Sequence, residues 1–226
     1  MKKDFLKKPL KAVLFDMDGV LFDSMPYHAN AWHEVMKMHG MDLPKEEAYM
    51  HEGRTGRETI NLICKRQKGR EATAVEMESI YESKCELFNA NPPAPEMPGA
   101  NDLLNALKQA GIEIVLVTGS GQHSLFDRLE VHYPGIFAKD KMVTAYDVVK
   151  GKPNPEPYLK GLEKAGVSAD EAIVVENAPL GVEAAHAANI FTVAVNTGPL
   201  DPQVLKDSGA NIVFPSVNGL VEAWTK

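Results

Sequence analysis

Residues 12–20 read Ala-Val-Leu-Phe-Asp-Met-Asp-Gly-Val, an apolar run that ends at two aspartates and a glycine. A run that is apolar at every position, rather than at alternate ones, is typical of a strand buried on both faces. Similar runs lie at 112–117, 173–175 and 191–195. A helical pattern at 100–107 separates two of them, with apolar residues three and four positions apart. This alternation predicts an α/β fold with a Rossmann-like parallel sheet.

One long segment departs from the alternation. Between Pro26 and about Pro93 there is no strand candidate, and the apolar residues instead form two helical stripes. We expect a small helical bundle inserted after the first strand, with residues 1–24 and 95–226 forming the α/β core and 25–94 the inserted domain. The stripes are Trp32, Val35 and Met36, and Met77, Ile80, Tyr81, Cys85 and Phe88.

Composition excludes several classes of protein. The chain has 226 residues, and 24 basic against 31 acidic side chains give a net charge of −7. This charge argues against general binding to nucleic acid or to an anionic membrane, so an anionic ligand must be held by a few placed groups. The charged start, Met1 to Lys8, is unlike a signal peptide, and no later run approaches the roughly 18 apolar residues of a membrane span. Cys64 and Cys85 form no CxxC pair, so we expect both to be reduced thiols. Reduced thiols are typical of the cytosol, and we therefore expect a cytoplasmic protein.

The first strand ends in two carboxylates that need an explanation. Asp16 and Asp18 leave the strand on the same side, so both can approach one ligand. Their repulsion is relieved most simply by a metal ion or a proton. The alternative is a solvated aspartate in an ordinary Asp-Gly turn.

The second strand ends in a turn suited to an anion. Thr118 supplies a hydroxyl, and Gly119 and Ser120 supply backbone amides at the start of a helix. The same turn is similar to part of a dinucleotide-binding fingerprint, with Ser124 in place of the third glycine. We retain that alternative, although the first strand ends in an acidic pair rather than in a glycine turn.

Two further segments carry candidate side chains. Lys152 lies in a loop braced by prolines, which restricts where its ammonium group points. Glu176 and Asn177 follow the 173–175 run and offer oxygen ligands at another strand end.

In this order, and each at a strand end or loop, these features resemble the four motifs of the haloacid dehalogenase superfamily of phosphotransferases. Residues 16–20 match the first motif, Thr118 the second and Lys152 the third, while Glu176 with Asn177 match the fourth. The helical insert lies where that family carries its smaller cap domain. Within the superfamily, the residues after the first motif are similar to those of β-phosphoglucomutase and its relatives, namely Asp23, Tyr27, His28, Ala31 and Trp32.

The resemblance implies a role for each motif. Asp16 would be the nucleophile that forms an aspartyl phosphate, and Asp18 the general acid and base. Thr118, the amides of Gly119 and Ser120, and Lys152 would hold the phosphoryl oxygens. Mg²⁺ would be held by Asp16, the backbone carbonyl of Asp18, Asn177 and, directly or through water, Glu176.

The chain departs from the family at two places. Asn177 stands where an aspartate is usual, so the metal site loses a charge. Glu52, in the insert loop, stands where β-phosphoglucomutase has lysine. We hypothesise that Glu52 completes the metal site when the insert closes, which would suit a compact anion such as inorganic pyrophosphate. The alternative is a solvated acid at a helix end.

Other insert residues are candidates for substrate contacts. These are Arg54, Arg57 and His28, with surface charges or simple packing as the alternatives. Counted without gaps, the second cap lysine of β-phosphoglucomutase falls at Ile80, and Lys84 lies one turn further on.

The predicted function is a Mg²⁺-dependent phosphohydrolase for a small phosphorylated compound, with inorganic pyrophosphate the first candidate and hexose phosphates the next. A β-phosphoglucomutase, which passes the phosphoryl group to a sugar hydroxyl, is the alternative. A noncatalytic member that binds a phosphorylated effector is a third hypothesis. We expect no nucleic-acid or membrane partner and a monomeric chain.

Overall fold

A computed structural model describes residues 9–121 and 123–225, so the charged segment Met1 to Lys8 lies outside the described residues. In the described part, six parallel strands form one sheet in the order β3-β2-β1-β4-β5-β6. The strands are β1 (Ala12–Phe15), β2 (Glu113–Val117), β3 (Met142–Val143), β4 (Ala172–Glu176), β5 (Phe191–Val195) and β6 (Ile212–Phe214).

Helices cover both faces of the sheet and form the insert. Four of them follow β1 directly: α1 (Met25–Met38), α2 (Lys45–Met50), α3 (Gly56–Lys68) and α4 (Ala74–Asn89). The others alternate with the strands: α5 (Ala100–Gln109), α6 (His123–His132), α7 (Glu156–Ala165), α8 (Pro179–Ala187), α9 (Pro202–Asp207) and α10 (Val217–Thr225).

The predicted fold class is confirmed. The strands at 12–15 and 191–195 have the predicted bounds. β2 begins one residue later than the predicted 112–117, and β4 extends one residue beyond the predicted 173–175 at each end. The prediction missed β3 and β6, because runs of two and three residues are too short to show a periodic pattern.

The register of the sheet brings the functional strand ends together. β1 lies between β2 and β4, and Phe15 is opposite both Leu116 and Val175. From β1 the chain continues to β2 and β3 on one side, and it then crosses over to β4, β5 and β6 on the other side. The carboxyl end of β1 is therefore the topological switch point, where ligands bind in such folds. Asp16 and Glu176 therefore lie at one edge.

We call α1–α4 the helical insert. It has an apolar core of its own, formed by Val35, Met36, Met41, Leu43, Ile60, Ile63, Cys64, Ala72 and Ile80. The two chain segments that join it to the sheet lie side by side, with the Asp23 amide donating to the Pro95 carbonyl (2.9 Å) and the Met97 amide donating to the Leu21 carbonyl (2.8 Å). On these grounds we propose the division expected from the sequence, at 24/25 and 94/95.

Two further properties of the described residues bear on earlier expectations. Cys64 and Cys85 are both free thiols. Across residues 9–121 and 123–225, every helix falls short of the length and apolar character that a bilayer crossing demands.

The fit of α7 on the sheet gives a test of the packing. A Cβ on Gly161 would lie 2.7 Å from Leu14 Cδ2 and 2.9 Å from Val117 Cγ2, both in fully buried side chains. We expect Gly161→Ala to lower the free energy of unfolding by about 1–2 kcal/mol, since overpacking outweighs the better helix propensity of alanine. The measurement is urea unfolding.

Gly219→Ala is the matched control. In α10, its Cβ would meet nothing closer than Pro215 Cδ at 3.4 Å. This substitution should leave stability unchanged or raise it by up to about 1 kcal/mol. Equal effects of the two substitutions would contradict the tight packing of α7.

Candidate active site

Lys152 links the strand ends. Its side chain is completely buried, and Nζ donates to Asp16 Oδ1 (2.6 Å), to Glu176 Oε1 (2.7 Å) and to the Val117 carbonyl (3.1 Å). These partners come from the ends of β1, β4 and β2. One ammonium group is thus hydrogen-bonded to the carboxyl ends of three neighbouring strands.

Glu176 holds this lysine in place. Besides Lys152, its Oε1 accepts from the Tyr158 hydroxyl (3.0 Å), while Oε2 accepts from the amides of Asn177 (2.8 Å) and Ala178 (2.9 Å) at the start of α8. Both oxygens are therefore engaged by protein groups. Glu176 is fully buried and is not among the residues that line the cavity, and its predicted part in the metal site, directly or through water, stays a prediction.

The buried charges perturb one another. Burial raises the pKa of Asp16 to about 8, against the lowering effect of Lys152 and with a further rise from the charges of Glu176 and Asp18. Burial alone would lower the pKa of Lys152, but the charges of Asp16 and Glu176 outweigh it and hold that pKa well above its usual value. Lys152 is therefore a permanent cation beside the predicted nucleophile.

Asp18 is held by Ser24, the last residue of the first core segment, and by residues from the insert. Its Oδ1 accepts from the Ser24 hydroxyl (2.6 Å) and is 3.1 Å from His28 Nε2. The other ring nitrogen, His28 Nδ1, is 2.7 Å from Lys84 Nζ. Since an ammonium group can only donate, Nδ1 is the acceptor, and the proton on Nε2 points to Asp18. A relay therefore runs from Lys84 through His28 to Asp18.

This relay sets the charges around Asp18. Burial raises the pKa of Asp18, but the charge and hydrogen bond of His28, with the Ser24 hydrogen bond, outweigh it and leave the pKa below its usual value. Burial and the charge of Lys84 lower the pKa of His28, against the raising effect of Asp18. Burial lowers the pKa of Lys84 to about 8. Its Nζ also lies 5.4 Å from the ring centroid of Trp32 and 5.2 Å from that of Phe88, which stabilises a buried cation.

The turn after β2 faces the same space. Thr118 Oγ1 accepts from the Ser120 amide (3.0 Å), which shapes the turn. A Cβ on Gly119 would lie 2.4 Å from the Gly53 carbonyl oxygen, so only glycine allows the insert to approach this closely. Thr118, Gly119 and Ser120 all line the cavity, as predicted for groups that hold an anion.

The cavity between sheet and insert has a volume of about 60 Å³. The cavity is partly open to solvent, so this volume does not limit the size of a ligand. The insert residues that line it include His28, Glu52, Arg54, Tyr81 and Lys84.

Two predicted substrate contacts are placed differently. Arg54 lines the cavity, and its Nε is buried with no hydrogen-bond partner among the described residues. Arg57 is exposed on the first turn of α3 and is not among the lining residues.

Glu52 reaches from the insert to the end of β4. It is 9% exposed, and its Oε1 accepts from Asn177 Nδ2 (2.8 Å). Burial and the charge of Asp16 raise the pKa of Glu52 well above its usual value. A Cβ on Gly19 would lie 2.1 Å from Asn177 Nδ2 and 3.2 Å from Glu52 Oε1, so the first motif, the fourth motif and the insert meet here.

These groups fit a magnesium ion. Asn177 Oδ1 is buried and accepts no hydrogen bond from any described group, and buried carboxyl groups crowd the same region. Within the described part of the chain, there is no group of three or more His, Cys, Asp or Glu side chains that could hold a metal ion by themselves. A set made of one or two carboxylates, an amide oxygen, a backbone carbonyl, substrate and water is nevertheless what Mg²⁺ commonly takes.

Sequence reasoning missed two contributors and left a third, Lys84, as the alternative to Ile80. Ser24 and Tyr158 gave no motif signal, and their roles depend on hydrogen bonds across the fold. The gap-free count placed the second cap lysine at Ile80, which is instead buried in the core of the insert. The lysine in the cavity is Lys84, one helical turn further along α4.

Comparisons with known proteins agree with this geometry. Residues 10–189 match the model of the haloacid dehalogenase-like hydrolases, and the chain belongs to that family. It is 32% identical over 199 residues to hexitol phosphatase A of Escherichia coli, covering 86% of this chain and 87% of that protein. It is 27% identical over 195 residues to the β-phosphoglucomutase of Bacillus subtilis, covering 84% of each.

A solved structure from Bacteroides vulgatus, provisionally described as a β-phosphoglucomutase, is similar at 56% identity. The TM-score is 0.93, and the match covers 96% of this chain and 88% of that one. The predicted superfamily is confirmed, and the dinucleotide alternative gains no support.

The relay to Asp18 predicts energetic coupling between His28 and Lys84. His28→Phe and Lys84→Met should each lower the free energy of unfolding. We expect the sum of these two changes to differ from the change in the double variant by about 1–3 kcal/mol, because the two side chains share one buried hydrogen bond. Urea unfolding of the four proteins gives this coupling energy.

The exposed pair Asn30 and Lys45, joined at 2.7 Å, serves as the control. Asn30→Ala and Lys45→Met should add to within about 0.5 kcal/mol. Additivity at both pairs would contradict the relay.

Proposed function

We propose that this chain is a Mg²⁺-dependent phosphohydrolase that acts through an aspartyl phosphate on a small phosphorylated compound. The observation that carries the proposal is the pair of buried aspartates at the end of β1, each held for a different task. Asp16 lies against the ammonium of Lys152 (2.6 Å), and Asp18 lies in the relay from the insert.

Asp16 is the nucleophile in this proposal. Asp16 attacks as the carboxylate, and the charges of Lys152 and of a bound metal ion would keep it ionised against the effect of burial. Its oxygen bonds to phosphorus, the bond from phosphorus to the leaving oxygen breaks, and the phosphoryl group is carried by Asp16. Thr118 and the Gly119 amide hold the equatorial oxygens, and the charge of Lys152 offsets the negative charge that accumulates there in the transition state. In the second step, water attacks the aspartyl phosphate and releases inorganic phosphate.

Asp18 transfers protons in both steps. The charge of a bound phosphate would raise the pKa of Asp18, which His28 and Ser24 otherwise hold low, so that Asp18 is protonated when substrate is bound. Asp18 then donates that proton to the departing oxygen in the first step and removes one from the attacking water in the second. Ser24 and His28 both bond to Oδ1, which fixes the rotation of the carboxyl group. This constraint aims the other oxygen, Oδ2, for proton transfer.

Asp16, the Asp18 backbone carbonyl and Asn177 Oδ1 are the groups we assign to the metal, with Glu52 as the additional acidic ligand. When bound, Mg²⁺ supplies positive charge that offsets the phosphoryl oxygens and the crowded carboxylates. Asn177 is neutral, so Glu52 restores the charge that an aspartate at that position would carry.

For the substrate, we place inorganic pyrophosphate first. Support comes from the buried carboxylate of Glu52, which disfavours a second phosphate unless a cation accompanies it. Phosphorylated hexoses and polyols are the second class, and the relatives named above favour them, since one is a hexitol phosphatase and another a β-phosphoglucomutase.

A β-phosphoglucomutase remains the alternative reaction, in which a sugar hydroxyl replaces water as the acceptor. The structural neighbour at 56% identity carries that description. We retain a monomeric, cytoplasmic enzyme as the expected form.

The proposal predicts the activity of two variants. Asp16→Asn should lower phosphate release by about 10³-fold or more, because an amide cannot form the covalent intermediate, and Asp18→Asn should lower it by about 10²- to 10⁴-fold. The measurement is phosphate release with Mg²⁺ from pyrophosphate, hexose phosphates, hexitol phosphates and glycerol 1-phosphate.

The same panel decides between the reactions. Conversion of β-glucose 1-phosphate to glucose 6-phosphate without phosphate release would replace the hydrolase with the mutase. A wild-type chain that binds Mg²⁺ but turns over none of these compounds would favour the noncatalytic hypothesis.

Glu52 gives a separate prediction. Glu52→Gln should lower kcat/KM for pyrophosphate by about tenfold or more and raise the Mg²⁺ concentration needed for half-maximal activity, since the site loses an anionic ligand. Glu46→Gln, an exposed acid nearby on α2, is the control and should change neither. Unchanged Mg²⁺ dependence in Glu52→Gln would remove Glu52 from the metal site.

A further inference from the structure

The insert touches the core through a glutamate that no motif singles out. Glu58 is in the first turn of α3, where Thr55 and Glu58 form a capping box. Glu58 Oε2 accepts from the Thr55 amide (3.2 Å) and hydroxyl (2.7 Å). A capping box requires only one oxygen of this side chain. The other oxygen, Oε1, is free for a different partner.

That partner lies on the core, 93 positions further along the chain. Glu58 Oε1 accepts from the backbone amide of Gly151 (3.2 Å). A Cβ on Gly151 would lie 2.4 Å from Glu58 Oε2 and 2.8 Å from Thr55 Cγ2. Glycine is therefore required here because the insert approaches the loop, not because of an unusual backbone angle.

The amides of this loop are divided between core and insert. Val149 and Lys150 donate to Glu156, at the start of α7 in the core (2.9 and 3.0 Å). Gly151 donates to Glu58 of the insert. The Gly151 amide thus has its hydrogen-bond partner only when the insert lies against the sheet. The residue that follows Gly151 is Lys152.

A second contact reaches the other loop that holds phosphate. The Gly121 amide donates to the Tyr81 hydroxyl of α4 (3.3 Å), directly after the Thr118–Ser120 turn. The insert therefore bonds to backbone amides beside both anion-binding segments.

We propose that Glu58 is a positioning residue, whose bond to the Gly151 amide fixes the loop that carries Lys152 when the insert lies against the sheet. The inference rests on the proposed function, because it assigns Glu58 a part in holding the transferring phosphoryl group. Glu58 does not touch the substrate, and it acts through the backbone of the residue before Lys152. The position of Lys152 therefore depends on whether the insert lies against the sheet.

Glu58→Gln separates the two tasks of this side chain. Glutamine serves in a capping box, but it has only one acceptor oxygen, so the cap and the bond to Gly151 cannot both be kept. Glu76→Gln is the matched control, because Glu76 occupies the same position in the Thr73 capping box of α4 and its other oxygen bonds to Arg70 within the insert.

We expect Glu58→Gln to speed hydrogen exchange of the Gly151 amide, followed by NMR, by about three- to tenfold, which is the range for one hydrogen bond. It should lower kcat for phosphate release by a similar factor with little change in KM, since Lys152 acts on the transition state. Glu76→Gln should change neither quantity, and the thermal midpoints of the two variants should agree.

Unchanged exchange at Gly151 in Glu58→Gln would overturn the inference, whatever the activity. Equal acceleration in Glu76→Gln would also overturn it, because the effect would then be a general loosening of the insert. If the wild type releases no phosphate while Glu58→Gln alone speeds exchange at Gly151, the contact stands and the proposed function fails.

Discussion

The site depends on the buried ammonium of Lys152. Removing such a charge from water costs several kcal/mol, and only close anionic partners offset that cost. Asp16 and Glu176 are those partners, at 2.6 and 2.7 Å, and the Val117 carbonyl completes the set. All three acceptors lie at the carboxyl ends of neighbouring strands. The ammonium group can therefore make all three hydrogen bonds only when β1, β2 and β4 are in their observed register. The same bonds that stabilise the charge therefore align the residues to which the proposed function assigns the phosphoryl group.

The part of the site that comes from strand ends was predictable from sequence. Asp16, Thr118 and Glu176 follow short apolar runs, and parallel strands place their carboxyl ends at one edge whatever the connections between them. The orientation of a side chain was not predictable in this way. No motif indicated that Lys152, Tyr158 and two amides engage both oxygens of Glu176.

The contributions of the insert were harder to predict, because they depend on how helices cross. His28 and Lys84 are 56 positions apart and meet only because α1 packs on α4. Aligning the chain without gaps to β-phosphoglucomutase placed the second cap lysine at Ile80. Ile80 lies in the core of the insert, whereas Lys84, one helical turn further on, lines the cavity. Glu58 carried no signal beyond an ordinary capping box, since its second oxygen reaches a loop 93 positions away.

The two halves of the site have different chemical tasks in the proposed mechanism. The sheet supplies the nucleophile, Lys152 and the turn at Thr118, which together hold the phosphoryl group. The insert supplies the support of Asp18, through His28 and Lys84, and the carboxylate of Glu52 beside the neutral Asn177. A chain with aspartate at position 177 would carry its metal-binding charge on the sheet alone. In the proposed mechanism that charge is divided, so the complete set of ligands and the correctly held general acid would arise together, when the insert lies against the sheet. Water that enters an open site would then meet a nucleophile without its full electrostatic support, which would restrict phosphoryl transfer to the closed arrangement.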